Sequence, residues 1–357
     1  MKGVFIMGKN KKKLSVGDLK VGMIAANEIK CDGNILIAKG VPITERAINT
    51  LRKKYIYSKI EVYYEIEDEN ITNSIKNTED SFSELTFDLE KMFNEMDKLQ
   101  VSDIEEVRKF AIKIKNELKS TDSIIKNIVL YGSGKDSIYR HGVNVAALSS
   151  ILGKWIGLDD VQLNLLTYAA ILHDFGKTKI EESIINKTEL LTNSEIKKIK
   201  MHPVIGYEFI NKIPFLDRSV SLGILMHHER EDGSGYPFGL NNDKIHSFAK
   251  IIAIVDVFDA VNSDRGYRQS KGPFEALEII KEDSLGKLDY NYSTIFLNHV
   301  VNYYMGENVL LSDNRICKII QINKNDFQSP LLLVEDDFLD LKDNKELYVK
   351  KLILSNN

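Results

Sequence analysis

The sequence predicts a mainly α fold, with a small α+β module ahead of the helices and a short β segment behind them. Three observations carry this prediction. Between about 131 and 305, apolar residues recur at helical spacing, broken by short loops. Residues from about 14 to 66 instead alternate short apolar runs with turn signals. After "NYYMGENVLL" the character turns to strand, in "RICKIIQI" and "PLLLVEDD".

Taken in order, the N-terminal α+β module covers residues 1–66. In it "MIAANEI" and "ILIAKG" flank "KCDGN", where Asp32-Gly33 supports a hairpin. "TERAINTLRKKY" predicts a short helix begun at Thr44, and "KIEVYYE" a closing strand. Residues 67–130 hold "SFSELTFDLEKMFNEMDKLQ" and "IEEVRKFAIKIKNELKS", free of proline and glycine and apolar at helical spacing. This segment is expected to be a helical connector, serving ordinary packing or an oligomerisation surface. The main helical domain, 131–305, contains "TNSE", in which Thr192 and Glu195 form a capping box opening the helix "IKKIKMH". Residues 306–357 are expected to form a C-terminal β appendage.

The bulk properties narrow the function. The chain has 357 residues, 43% hydrophobic and 28% charged, enough for two domains with a buried core. Its net charge of -4 excludes the strongly basic footprint of a nucleic-acid polymer binder, while leaving room for a small phosphate ligand held by a local basic cluster. Two distant cysteines, Cys31 and Cys317, form no CxxC pattern, so a disulfide scaffold is not expected and a cytoplasmic location is. The apolar run in "MKGVFIMGKNKKK" is too short for a signal peptide, and no later stretch reaches membrane-spanning length. No membrane partner is expected, and a homodimer is the default assembly.

Five of the seven histidines fall between residues 141 and 228, as His141, His173, His202, His227 and His228. Asp174 adjoins His173, and Asp256 and Asp259 follow in "DVFD". Imidazole nitrogens and carboxylate oxygens without thiolates suit Mn, Fe, Ni or Zn in a hydrolytic site. A lone histidine is more often a core or solvated residue, but His173 lies on the same helical face as Leu166 and Ala170, the face a helix buries. Burying an imidazole beside a carboxylate is costly without a partner, and a divalent cation is one such partner. Asp256 ends the apolar run "IIAIVD"; a buried cap or salt-bridged carboxylate would explain it alone, though not the whole set. So many donors exceed the needs of one ion and point to two. An aspartate can bridge two cations, and water held between them becomes a hydroxide suited to in-line attack on phosphorus. Lys177, one turn past His173, can face the same phosphate or be a plain surface lysine.

The segments "HDFGK" at 173–177, "HP" at 202–203 and "HHEREDGSGYP" at 227–237 resemble the HD-GYP subgroup of HD-domain phosphohydrolases, and "DVFDAVNSDRGYR" at 256–268 adds to the likeness. Phe175 stands where isoleucine is more usual in that subgroup. The resemblance implies an HD-type helical bundle and a phosphodiesterase opening cyclic di-GMP to linear pGpG, with onward cleavage to GMP as a second step. It also implies metal ligands at His141, His173, Asp174, His202, His227, His228 and Asp256. The first ion would lie on His141, His173 and Asp256, the second on His202, His227 and His228, with Asp174 between them and iron or manganese as the metal. Lys177 matches a lysine assisting at the scissile phosphate.

The resemblance further places Gly235, Tyr236 and Pro237 at the nucleotide, where Tyr236 stacks on it, hydrogen-bonds to it, or only pins the loop. Arg265 and Arg268 match basic positions near the ligand phosphates. Asp259 would contact the base or ribose, or orient Arg265 or a ligand histidine. Members with a glutamate one turn before the first histidine hold a third ion. Here that position is Ser137, beside Asp136, so two ions are expected and cleavage mainly to pGpG. Two other readings stand beside this one. The chain would be a non-catalytic cyclic di-GMP receptor or interaction module, or a hydrolase of another cyclic dinucleotide such as 3',3'-cyclic GMP-AMP.

Overall fold

Short β-branched runs and one amphipathic helix build the first of two units. The structure is a computed structural model, and it describes residues 10–16, 19, 23–31, 34–39, 41, 43–54, 59–64, 69–99, 104–133, 138–187, 189–214, 216–263, 273–335 and 337–353. The chain divides into Met1–Ile71 and Thr72–Asn356. The first unit holds β1 (Asn10–Ser15), β2 (Ile24–Ala25), β3 (Ile29–Cys31), β4 (Asn34–Ile37), α1 (Glu45–Lys54) and β5 (Lys59–Tyr64). Antiparallel pairing gives a sheet in the order β1-β5-β2. β3 and β4 pair with Cys31 opposite Asn34, while Asp32 and Gly33, expected as a hairpin turn, lie outside the described residues. Helix α1 opens after Thr44, whose hydroxyl accepts from the Ala47 N–H at 3.3 Å. It buries Ala47, Ile48 and Leu51, three and four residues apart, in a core with Val16, Ile43 and Val62.

The second unit is helical. α2 (Glu69–Leu99), α3 (Ile104–Glu117) and α4 (Thr121–Tyr131) lead into α5 (Ile138–Ile156) and α6 (Asp160–Leu172). A 3-10 turn at Phe175–Lys179, then α7 (Glu182–Ile185), α8 (Asn193–Ile199), α9 (His202–Ile210), α10 (Arg218–Met226) and α11 (Ser247–Asn262) follow. α12 (Glu275–Asp283) and α13 (Tyr290–Val300) complete the helices. α5 and α11 bury residues around most of their circumference, as helices inside a bundle must. α5 packs on α6 and α11, α10 packs on α6, α9 and α11, and α9 packs on the 3-10 turn. The capping box read from "TNSE" is present at α8, where Thr192 and Glu195 satisfy each other's backbone N–H groups.

Five strands follow, β6 (Asn308–Leu311), β7 (Ile316–Asn323), β8 (Asp326–Val334), β9 (Asp337–Asp340) and β10 (Val349–Ile353), in an antiparallel sheet of order β10-β6-β7-β8-β9. The sheet packs on α12 through β8 and on α4 through β10. Its inward residues Val309, Ile319 and Leu332 belong to the same core as Val145 and Ile252. So do Phe82, Leu89, Val107, Phe110 and Ile128. Residues of the segment expected as a connector and of the segment expected as an appendage thus share one core with the helical domain. Among the described residues no helix is long and apolar enough to cross a membrane.

Phe82 shows what α2 contributes. Its ring is fully buried and lies 4.5 Å below the Arg140 guanidinium. Phe82→Ala is expected to lower unfolding free energy by about 3–5 kcal/mol, measured from the denaturant midpoint. An unchanged midpoint would mean that α2 is not part of this core.

Candidate metal centre

Helix ends aim the ligating side chains. His173 follows the last turn of α6, His202 opens α9 directly after α8, and His227 follows the last turn of α10. The last carbonyls of a helix lack intrahelical N–H partners. Here three of them accept from the Nδ1–H of these histidines, Ala170 from His173 at 2.7 Å, Ile199 from His202 at 2.8 Å and Ile224 from His227 at 2.6 Å. Each ring is thereby held in the tautomer whose Nε2 carries the lone pair. His141, on α5, is oriented by a carboxylate instead, its Nδ1 lying 2.7 Å from Asp259.

The Nε2 atoms converge. His141 and His173 bring theirs within 3.3 Å, and His202 and His227 within 3.2 Å. Two lone pairs at that separation repel unless a cation or proton lies between them. Asp174, 1% exposed, stands at the centre. Its Oδ2 is 3.5 Å from His173 Nε2 and 3.6 Å from His141 Nε2, while its Oδ1 is 3.2 Å from His202 Nε2 and 4.0 Å from His227 Nε2. That Oδ1 is buried and accepts no hydrogen bond of acceptable geometry. Asp256, on α11, lies 3.0 Å from His141 Nε2 and 3.7 Å from His228 Nδ1.

The donors fall into two sets whose atoms lie within 4.8 Å of one another, His141, His173 and Asp256 in one and Asp174, His202, His227 and His228 in the other. An orphaned buried carboxylate oxygen and converging imidazole lone pairs fit divalent metal ions.

Electrostatics agree with that donor set. Burial penalises the Asp174 carboxylate, but Lys177, His173 and His202 outweigh it and hold its pKa well below the usual carboxylate range. Asp256 is likewise held low, against burial, by His141 and His228. Burial first, then neighbouring imidazoles, push His227 and His228 well down and keep them neutral, the ligating form. His141 is the exception. Burial lowers it, yet Asp256 and Asp259 outweigh burial and push its pKa up to about 10.

The loop after His228 is built to press on it. Gly235 has no space for a Cβ, which would lie 2.4–2.5 Å from the backbone of His228–Arg230. This close approach lets the Tyr236 N–H bond to the His228 carbonyl at 3.2 Å. The Tyr236 ring then stacks on the His228 ring, centroids 4.6 Å apart, ahead of a cis bond to Pro237. The Lys200 ammonium lies 5.1 Å from the Tyr236 centroid. The Tyr236 ring thus lies against His228, and Gly235 packs on the backbone of His228–Arg230. Lys177 donates to Asp174 Oδ2 at 2.6 Å.

Asp259, read as a base or ribose contact or as an orienting group, is fully buried, and its oxygens accept from His141 Nδ1–H, from the Asn144 amide at 2.7 Å and from the Ser133 hydroxyl. Its carboxylate is committed to orienting a histidine. Arg265, Arg268, Asp136 and Ser137 lie outside the described residues.

Three site residues escaped the sequence reading, Asn144, Gly176 and Glu229. Glu229, 2% exposed, accepts backbone N–H bonds from Phe238 at 2.7 Å and Leu240 at 2.9 Å, tying down both sides of the turn after Pro237. Its place directly behind the paired histidines was the available signal. Glu229→Gln turns one acceptor into a donor facing an N–H, and is expected to cost about 1.5–3 kcal/mol of local stability. Limited proteolysis should then cut within residues 230–245 faster than in the wild type, and equal cutting rates would refute this anchoring.

Comparison with known proteins agrees with this geometry. Residues 119–291 match the family model described as HD domain. A cyclic di-GMP phosphodiesterase of Pseudomonas aeruginosa is 31% identical over 208 residues, 58% of this chain and 50% of that protein. A cyclic di-GMP phosphodiesterase of Borreliella burgdorferi is 33% identical over 193 residues, 54% of this chain and 50% of that protein. A 3'3'-cGAMP-specific phosphodiesterase of Vibrio cholerae is 32% identical over 144 residues, 40% of this chain and 31% of that protein. The chain spans about half the length of the first two relatives and less of the third. Residues 119–291, which match the HD domain family, thus hold the paired donors of His173-Asp174 and the Gly235-Tyr236-Pro237 loop seated on His228.

Proposed function

We propose that the chain is a metal-dependent phosphodiesterase that hydrolyses cyclic di-GMP to linear pGpG. The observation that carries this reading is Asp174, whose two oxygens face different histidine sets at the centre of a buried donor cluster. The relatives named as cyclic di-GMP phosphodiesterases support the substrate. Two ions, iron or manganese, would be held by His141, His173 and Asp256 on one side and by His202, His227 and His228 on the other, with Asp174 shared. When bound, such ions supply water activated at neutral pH and neutralise charge on the phosphoryl oxygens.

The chain's own groups do the rest. The Nδ1–H bonds to Ala170, Ile199, Ile224 and Asp259 fix the ring orientations before any ligand arrives. Lys177 places an ammonium beside Asp174, where a scissile phosphate would sit. The Tyr236 ring holds His228 in place, and burial, then Asp256 and Asp174, raise its phenol pKa so that it stays protonated. Arg265 and Arg268 are assigned to the phosphates in this reading, where bidentate contact suits guanidinium. A cytoplasmic location and a homodimer belong to the same proposal.

A second substrate has support of its own, because three relatives are named as specific for 3'3'-cGAMP. Side-by-side turnover separates the two. Chain purified without oxygen and loaded with Fe2+ or Mn2+ is offered each dinucleotide, and products are separated by chromatography. Release of pGpG from cyclic di-GMP is the expected outcome. Binding of cyclic di-GMP without product in the metal-loaded chain would replace the hydrolase by a receptor.

A further inference from the structure

The Arg140 side chain is buried, although guanidinium groups seldom are. Its partners come from three helices. It donates two parallel bonds to Glu79 of α2, at 3.0 and 2.7 Å, and one to the Asn127 side-chain oxygen of α4 at 2.9 Å. Its Nε donates to the Asn144 side-chain oxygen one turn along α5, at 3.1 Å. The last bond decides how Asn144 faces. An amide has one acceptor end and one donor end. With its oxygen engaged by Arg140, its NH2 group points at Asp259 Oδ1, 2.7 Å away. That leaves Asp259 Oδ2 to accept from His141 Nδ1–H at 2.7 Å, which turns His141 Nε2 toward Asp174 and Asp256.

From this chain of bonds we infer that Arg140 and Glu79 are positioning residues for the His141 side of the metal centre. The ion pair between α2 and α5 fixes the Asn144 amide, the amide fixes the Asp259 carboxylate, and the carboxylate fixes a ligand ring. Asn144 and Asp259 are fully buried, so bulk water does not reach their bonds to each other and to His141. The His202 side has no such dependence, because the His202 and His227 rings are held by backbone carbonyls and the His228 ring by the Tyr236 stack. A helix that the sequence suggested as a connector thus sets the geometry of one half of the site. The inference rests on the metal-binding reading given above, and its test separates the two.

The test is a Mn2+ titration of the full chain, followed by calorimetry or by the spectroscopic signal of bound manganese. Glu79→Gln keeps the shape of a partly exposed side chain, so the fold should survive, whereas Arg140→Met removes the hub and is the more severe variant. Ile319→Ala, in the C-terminal sheet, is the control for a general loss of stability. Both site variants should weaken one of two classes of Mn2+ site by about tenfold, toward the lower end of what outer ligand partners contribute, and leave the other class unchanged. The control should leave both classes unchanged, and in the hydrolysis assay the two site variants should lower kcat with KM constant. Unaltered binding in Glu79→Gln, or equal weakening of both classes by all three substitutions, would overturn the positioning role. A wild type that binds two ions but leaves cyclic dinucleotides intact would sink the hydrolase reading while the titration still decides this one.

Discussion

Asp174→Asn is expected to abolish turnover and to weaken both ions together. The substitution preserves volume in a site where the residue is 1% exposed, so the fold should remain. The chemistry changes completely. The carboxylate presents an acceptor to each histidine set, with Oδ2 toward His141 and His173 and Oδ1 toward His202. An amide keeps one acceptor and gains an NH2 group. Whichever way it turns, that group faces imidazole lone pairs that would otherwise hold a cation, and it satisfies them by hydrogen bonding. Metal affinity should fall by more than about 100-fold, beyond the usual effect of an outer partner. Metal content after dialysis, a thermal melt and product chromatography check the three parts of this expectation. Hydrolysis retained in a folded variant would remove Asp174 from the centre of the mechanism.

Much of the site could be read in advance because it is carried by residue types. Imidazoles and carboxylates on otherwise apolar stretches require a partner wherever the chain goes, and seven such donors require more than one. Local signals were equally legible, since the Thr192-Glu195 capping box and the β3-β4 pairing involve groups within a few residues of one another. What stayed hidden depends on contacts across the sequence. Asp259 could be a ligand contact or an orienting group until its carboxylate was found against His141, 118 residues away. Arg140 looks like a surface arginine until Glu79 meets it across 61 residues. The polar, helical segment 67–130 showed an apolar stripe but not what that stripe covers. Its partner is the same core that holds α5 and α11.

Gly176 carries the second large effect, on architecture before chemistry. It lies in the 3-10 turn that follows Asp174, and an added Cβ would sit 2.0 Å from the His202 carbonyl oxygen and 2.8 Å from the Gly206 nitrogen. Both are backbone atoms of the α9 N-terminal turn, so no rotamer relieves the overlap and α9 itself must move. That movement separates Asp174 from His202, whose 3.2 Å approach brings the two halves of the second donor set together. Gly176→Ala should therefore cost the upper end of about 1–3 kcal/mol, or more, with ions on the His202 side lost first. Gly206→Ala offers the comparison, because its Cβ would meet the Ile224 Cγ2 at 3.1 Å, a side-chain end able to yield. The two variants, compared by thermal melt and Mn2+ titration, should differ in both readouts. If Gly176→Ala melts no lower than Gly206→Ala and binds Mn2+ as tightly, the close packing of the turn on α9 is not what brings His202 to Asp174.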